Sequence, residues 1–241
     1  MCNGKDHFCA VLEIRPENED ALLRMTGKAA LLNAKFWGAH RTLTVGFYGG
    51  SEALRNRVAQ YAEEWPQTGA DIHFVFWTAQ DIDPDNADIR VSFKQDGRSW
   101  SYIGTDARSV PGQPSMNLGW LTEALPDEQA RGVILHEFGH ALGLIHEHQN
   151  PINGIQWNKQ AVSEDLSGPP NNWDPATIYE NMFKTYDPAG IFGTEVDPQS
   201  IMMYPIKADW TDGTFEVGFN SNLSANDKAL VCEAYKKIGL G

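Results

Sequence analysis

The sequence predicts an α+β protein: a small, mainly parallel sheet leads into one buried helix, and a loop-rich half follows that a single helix closes. Three observations carry this. Residues 40–121 alternate strand-like and helix-like patterns, residues 126–143 read as a helix that is apolar on nearly every side, and after residue 150 Pro, Gly, Asn and Asp become frequent. At 241 residues the chain can bury one sizeable core, or two lobes that share a cleft along the buried helix.

The elements follow in order. HRTLTVGFYGG (40–50) alternates apolar and polar residues before two glycines, a strand and a turn. SEALRNRVAQYAEEWP places Leu54, Val58, Tyr61, Ala62 and Trp65 along one helical face, with Ser51 as N-cap and Pro66 as the stop. DIHFVFWTA (71–79) and ADIRVSF (87–93) read as two more strands, and the strand–helix–strand order predicts a right-handed crossover with parallel pairing. WSYIG (100–104) and SMNLGWL (115–121) are shorter strands. In the closing segment LSANDKALVCEAYKKIG, Ser224 or Asn226 caps a helix carrying Leu230, Val231 and Tyr235.

Charge and composition exclude several roles. With 32 acidic against 19 basic residues the formal net charge is −13, which repels phosphate backbones and argues against a nucleic-acid partner. No apolar stretch approaches the roughly 18 residues that span a bilayer. The start, MCNGKDHFCAVLEIRPENEDALLR, lacks a basic segment followed by an apolar one, so a signal peptide is either absent or already removed and localisation stays open. Three cysteines, Cys2, Cys9 and Cys232, are too few for a disulfide framework, and Cys232 reads as a small buried apolar residue. DIDPDNAD (81–88) starts like a calcium-binding EF-hand loop but lacks its glycine and has Ser92 where the glutamate belongs; a solvated acidic loop is the better reading, with Ca²⁺ the minor alternative.

Four of the seven histidines fall within VILHEFGHALGLIHEHQNP (133–151). Pro126 suits a first helical turn, and Asp127 and Glu128 favour its positive end. On that helix His136 and His140 project from one face about 6 Å apart, so both can reach one metal ion. His146 cannot join them on a continuing helix: six residues add about 9 Å of rise and about 120° of rotation, against metal–nitrogen bonds of about 2.0–2.1 Å. The chain must turn sharply, and Gly143 is the residue that can take the left-handed conformation. Three neutral imidazoles with an open fourth position describe a catalytic Zn²⁺ site, where the metal lowers the pKa of its water towards about 7 and Glu137 is placed to act as general base. His148 reads as a surface or supporting residue.

HEFGHALGLIHE, with SIMMY at 200–204 downstream, resembles the metzincin metalloproteases and, in its Ser-x-Met-x-Tyr turn and in Glu147 after the third histidine, their astacin branch. SWSYIG followed by SMNLGW is similar to the astacin edge strand and the strand after it, and KAALLNAKFW to the entry of the catalytic domain. The resemblance implies an upper lobe (about 36–143) with a twisted, mostly parallel five-stranded sheet and two long helices. It also implies an irregular lower lobe (about 144–241) ending in a helix, with residues 1–35 as a segment resembling a pro-segment. It implies one catalytic Zn²⁺, an extended protein or peptide substrate, a secreted setting and a monomer. Met202 then packs beneath the metal, and Tyr204 ligates it and swings to the oxyanion. Taken alone, Tyr204 would read as a core tyrosine on a backbone group, and Met202 or Met203 as core filling.

Two departures stand out. Astacins usually carry two disulfides in the catalytic domain, whereas no cysteine lies between Cys9 and Cys232, as in a microbial, cysteine-poor member; and the usual Phe-x-Gly-Asp of the inhibitory segment is missing. An extended substrate is expected to add antiparallel to WSYIG, with Trp100, Ser101 and Tyr102 in contact. Residues 3–35 after Cys2, or 10–35 after Cys9, precede the catalytic region, and at about 3.3 Å per extended residue they are enough for either thiol to reach the metal and plug the site. The expected function is a zinc endopeptidase. The alternatives are a catalytically silent zinc-bearing module, which would have no need of Glu137, and a narrow-specificity processing protease or toxin.

Overall fold

The computed structural model describes residues 9–12, 31–32, 35–38, 41–78, 83–151, 154–187, 191–192, 196–213 and 215–237. Its strands are β1 (Ala10–Leu12), β2 (Leu31–Leu32), β3 (Arg41–Tyr48), β4 (Ile72–Phe76), β5 (Ile89–Ser92), β6 (Ser99–Tyr102), β7 (Met116–Leu118) and β8 (Ile191–Phe192). Alternation sets the inward face of β3, where Leu43, Val45 and Phe47 are buried. Five strands in the order β6-β7-β5-β3-β4 make the expected sheet, parallel except for the β6–β7 pair. A sixth strand was not anticipated: β1 lies parallel against β6, so the edge read as the substrate's is occupied by the chain's own N-terminal segment. β2 and β8 form a separate antiparallel pair.

Helix α1 (Glu52–Ala62) links the parallel strands β3 and β4; Ser51 Oγ caps it by accepting from the Leu54 amide at 3.2 Å. It ends before Pro66, and the turn that follows buries Trp65, whose indole donates to the Leu135 carbonyl on α2 (Asp127–Ala141) at 3.0 Å. Beyond lie α3 (Lys159–Ser167), the short α4 (Pro175–Ile178) and α5 (Ala225–Lys237).

The apolar side chains form two cores. The first joins the sheet (Leu43, Val45, Ile72, Val91) to α2 (Ile134, Leu135, Phe138) and to the inner face of α5 (Leu230, Val231, Tyr235). The second, in the loop-rich half, gathers Val162, Leu166, Trp173, Met182, Ile206 and Trp210. Met202 belongs to the first core and its neighbour Met203 to the second, so the 200–204 turn pins the two together.

Two contacts hold that turn under α2. Met202 sits so close to the helix that a Cβ on Gly139 would lie 2.4 Å from its sulfur. Asp227 ties the turn to α5. Its carboxylate accepts from Ser200 Oγ (2.6 Å), the Ile201 amide (2.8 Å) and the Ser224 amide (2.9 Å), while Ser224 Oγ accepts from the Asp227 amide (3.0 Å). The reciprocal Ser224–Asp227 pair is a capping box whose acid also clamps a distant turn.

In an ordinary helix interior Gly→Ala stabilises by up to about 1 kcal/mol. Gly139→Ala is expected to do the opposite, because overpacking against Met202 costs about 1–3 kcal/mol; a lowered melting temperature together with faster zinc loss to a chelator is the expected result. Asp227→Ala leaves buried donors without their acceptor and should destabilise by on the order of 3 kcal/mol, read as a fall in melting temperature of roughly 6–12 °C.

Candidate metal centre and active site

Helix α2 stacks His136 above His140, their ring centroids 4.7 Å apart. The helix then stops in a Schellman motif: the Gly143 amide donates to the His140 carbonyl at 2.8 Å and the Leu144 amide to the Gly139 carbonyl at 3.0 Å, with Gly143 at φ 98°. The Trp37 indole and the Tyr235 hydroxyl take up the carbonyls of Ala141 and Leu142, at 2.7 and 3.0 Å. The reversal brings the His146 ring to 4.6 Å from that of His140, and the Glu147 amide anchors it by donating to the Met202 carbonyl.

Each imidazole turns its Nδ1 to an oxygen: His136 to the Ile201 carbonyl (2.7 Å), His140 to the Leu144 carbonyl (2.8 Å) and His146 to Gln149 Oε1 (3.2 Å). Carbonyl and amide oxygens only accept, so each Nδ1 carries the proton and each Nε2 presents a lone pair. The His136–His140 and His140–His146 Nε2 distances are both 3.1 Å. Tetrahedral zinc with bonds of about 2.0–2.1 Å requires nitrogens about 3.3 Å apart. Converging lone pairs repel one another unless a cation lies between them, so this donor set fits zinc.

Cys9 completes the group. Its thiol lies 2.9 Å from His136 Nε2, 3.2 Å from His146 Nε2 and 3.9 Å from His140 Nε2, and all four donor atoms fall within 4.8 Å of one another. Burial lowers the pKa of His136 to about 4 and those of His140 and His146 well below the usual value, which keeps the rings neutral. Burial, and then the charge of Glu137, push the Cys9 thiol up; a coordinated metal ion reverses that preference.

The other anticipated residues fall around this centre. Glu137 is fully buried, both of its carboxylate oxygens lack a hydrogen-bond partner among the described residues, and burial raises its pKa well above the usual value. The Tyr204 hydroxyl donates to the Cys9 carbonyl and lies 3.4 Å from the thiol; its ring packs 4.1 Å from that of His146. Trp100 and Tyr102 on β6 are half-buried and meet edge to face at 6.1 Å, while Ser101 is buried and donates to the Tyr102 carbonyl. Cys2 lies outside the described residues. His148 is buried instead of at the surface: its Nε2 donates to the Asn181 carbonyl at 2.7 Å, and its ring stacks on that of His146. Cys232 is half-exposed, not buried. In the acidic loop, of which 81 and 82 lie outside the described residues, Asp83, Asp85 and Asp88 accept from protein donors.

Three supporting residues escaped the sequence reading. Gly139 had a signal, since a glycine inside a strongly apolar helix marks a close approach. Asp227 had one too, as the acid of a Ser-x-x-Asp cap. Gln149 had none, because its role depends on the fold of the turn after His146.

The family model of the astacin peptidases matches residues 33–236. Two solved structures of myroilysin resemble the chain. One has 39% sequence identity and a TM-score of 0.80, covering 87% of this chain and 99% of that one; the other has 35% identity and a TM-score of 0.63, covering 95% and 91%. High choriolytic enzyme 1, a hatching enzyme zinc-protease from Oryzias latipes (medaka fish), shares the fold at 17% identity and a TM-score of 0.54, with 89% of this chain and 98% of that one covered. No curated protein sequence matches significantly. A three-histidine centre built at the end of a helix, a methionine turn beneath it and a family match over most of the chain converge: the chain belongs to the astacin family of zinc metalloendopeptidases.

Proposed function

We propose that this endopeptidase uses Glu137 as general base and Tyr204 as oxyanion donor, and that Cys9 holds it latent as a fourth metal ligand. The observation that carries the reading is the convergence of three Nε2 lone pairs and one thiol beside a buried carboxylate with no partner among the described residues. His136, His140 and His146 would hold the zinc ion. When bound, it supplies a Lewis acid and a water that ionises near neutral pH.

The chain's own groups do the rest. Glu137 takes a proton from the attacking water onto a carboxylate oxygen as the C–O bond forms, and returns it to the amine nitrogen as the C–N bond breaks. The lack of a competing donor on either Glu137 oxygen among the described residues supports this role. The Tyr204 hydroxyl, once released from the Cys9 carbonyl, donates to the oxygen of the tetrahedral adduct. The substrate backbone pairs antiparallel with β6 along Trp100, Ser101 and Tyr102.

That reading makes β1 a blocking strand. It occupies the same edge in the parallel sense, with Ala10 opposite Trp100 and Leu12 opposite Tyr102, and carries Cys9 to the histidines. A segment in this direction takes up the edge's backbone groups in the reverse sense to the substrate. The thiol meanwhile takes the position that the attacking water needs.

Glu137→Gln is expected to lower kcat by about 10²–10⁴-fold at unchanged zinc content, measured on a quenched peptide together with metal analysis; wild-type turnover in that variant rules out Glu137 as the base. Cys9→Ser is expected to raise the activity of the full chain at least tenfold, and removal of the first thirty or so residues to do the same. Unchanged activity in both, with zinc bound, refutes the latch.

A further inference from the structure

The pocket that holds Cys9, His136, Glu137 and Tyr204 has a second, apolar part to its lining that the catalytic reading leaves without a role. It consists of Gly132 and Val133, one helical turn before His136, with Ile201, Met203, Pro205, Phe219 and Trp120. Phe219 is one of the few large apolar side chains left exposed among the described residues, at 52%. Its ring rests on Gly132, where a Cβ would come within 2.3 Å of Cζ. Among the described residues, lysine and arginine are absent from the lining; the carboxylate in it is that of Glu137. Asn220 also contributes, but its side-chain amide donates away to the carbonyls of Pro198 (2.9 Å) and Ser200 (2.8 Å).

The strand register places this pocket along a bound substrate. Cys9 precedes Ala10, which pairs with Trp100, so the metal centre lies level with Ser99 at the start of β6. β7 runs antiparallel to β6, with Ser99 opposite Leu118; the chain past Leu118 reaches Trp120, whose indole donates to the Gly97 carbonyl at 2.7 Å, beyond the first residue of β6. A peptide antiparallel to β6 travels from Tyr102 towards Ser99 and then Trp120. Its residues after the scissile bond therefore enter the pocket.

Resting on the peptidase reading above, we infer that this pocket selects an apolar side chain immediately after the scissile bond and rejects an acidic one, with Phe219 as the specificity-determining residue. The apolar walls favour burial of an apolar group over a charged one. A carboxylate would lose its hydration without gaining a cation, beside the Glu137 carboxylate.

The test has two arms on the zinc-loaded full chain. Cleavage-site profiling of a mixed peptide library with Cys9→Ser should show apolar residues after the cut preferred over Asp and Glu by at least about tenfold. Phe219→Ala should shrink that preference, and Phe219→Arg should bring cleavage before Asp and Glu. Calorimetric titration of the Cys9→Ser, Glu137→Gln double variant with paired peptides differing only in Leu or Asp at that position reads binding without turnover. Tighter binding of the leucine peptide supports the inference even if nothing is cut, an outcome that would sink the peptidase reading alone. Equal binding, or an acidic preference in either arm with Phe219 present, overturns it.

Discussion

The structure is organised around a repulsion. Three imidazole nitrogens, each left with a bare lone pair because the proton sits on the far side of its ring, are held together, those of His136 and His146 each 3.1 Å from that of His140. Without a cation between them that arrangement is unfavourable, so the protein must hold the rings by force of packing. The supports are the Schellman turn at Gly143, the carbonyls of Ile201 and Leu144, and a helix that is apolar on most sides. A metal ion turns the same proximity into coordination bonds and couples metal affinity to the stability of both cores.

The coupling runs through the 200–204 turn. Consecutive methionines face opposite cores, Ser200 and Ile201 hang from the carboxylate that caps α5, and the Met202 carbonyl receives the amide next to the third ligand. The turn thus aligns the ends of elements far apart in the chain. Packing of this density leaves little room for adjustment: the helix approaches closely enough at Gly139 that one methyl group would displace the sulfur beneath it.

What could be read beforehand was what is local. His136, His140, Gly143 and His146 lie within eleven residues, and helical geometry alone dictates that the chain must reverse there. Strands β3 to β7 were also legible, as was the Ser51 cap, and Ser224 was one of two candidate caps for the last helix. Long-range partnerships were less legible. That Cys2 or Cys9 could reach the metal followed from chain length and thiol chemistry, but which of them meets the histidines, and that the strand after Cys9 adds to β6, no periodicity encodes. Gln149 was invisible because its side chain gains meaning only after the turn has been made. Of the two readings of His148, surface or supporting, the structure shows the second: it lies behind the third ligand.

The acceptors that orient the three ligands differ in kind. Two are main-chain carbonyls, which no substitution at Ile201 or Leu144 can delete, and the third is a side chain. Of the three acceptors, only the one at position 149 can therefore be removed by a substitution of its own side chain. Position 149 can trade hydrogen-bond strength, and with it the basicity of His146, while the other two rings stay locked by the backbone. Divergent descendants of this protein would be able to retune the metal through that one residue and leave the rest of the centre untouched.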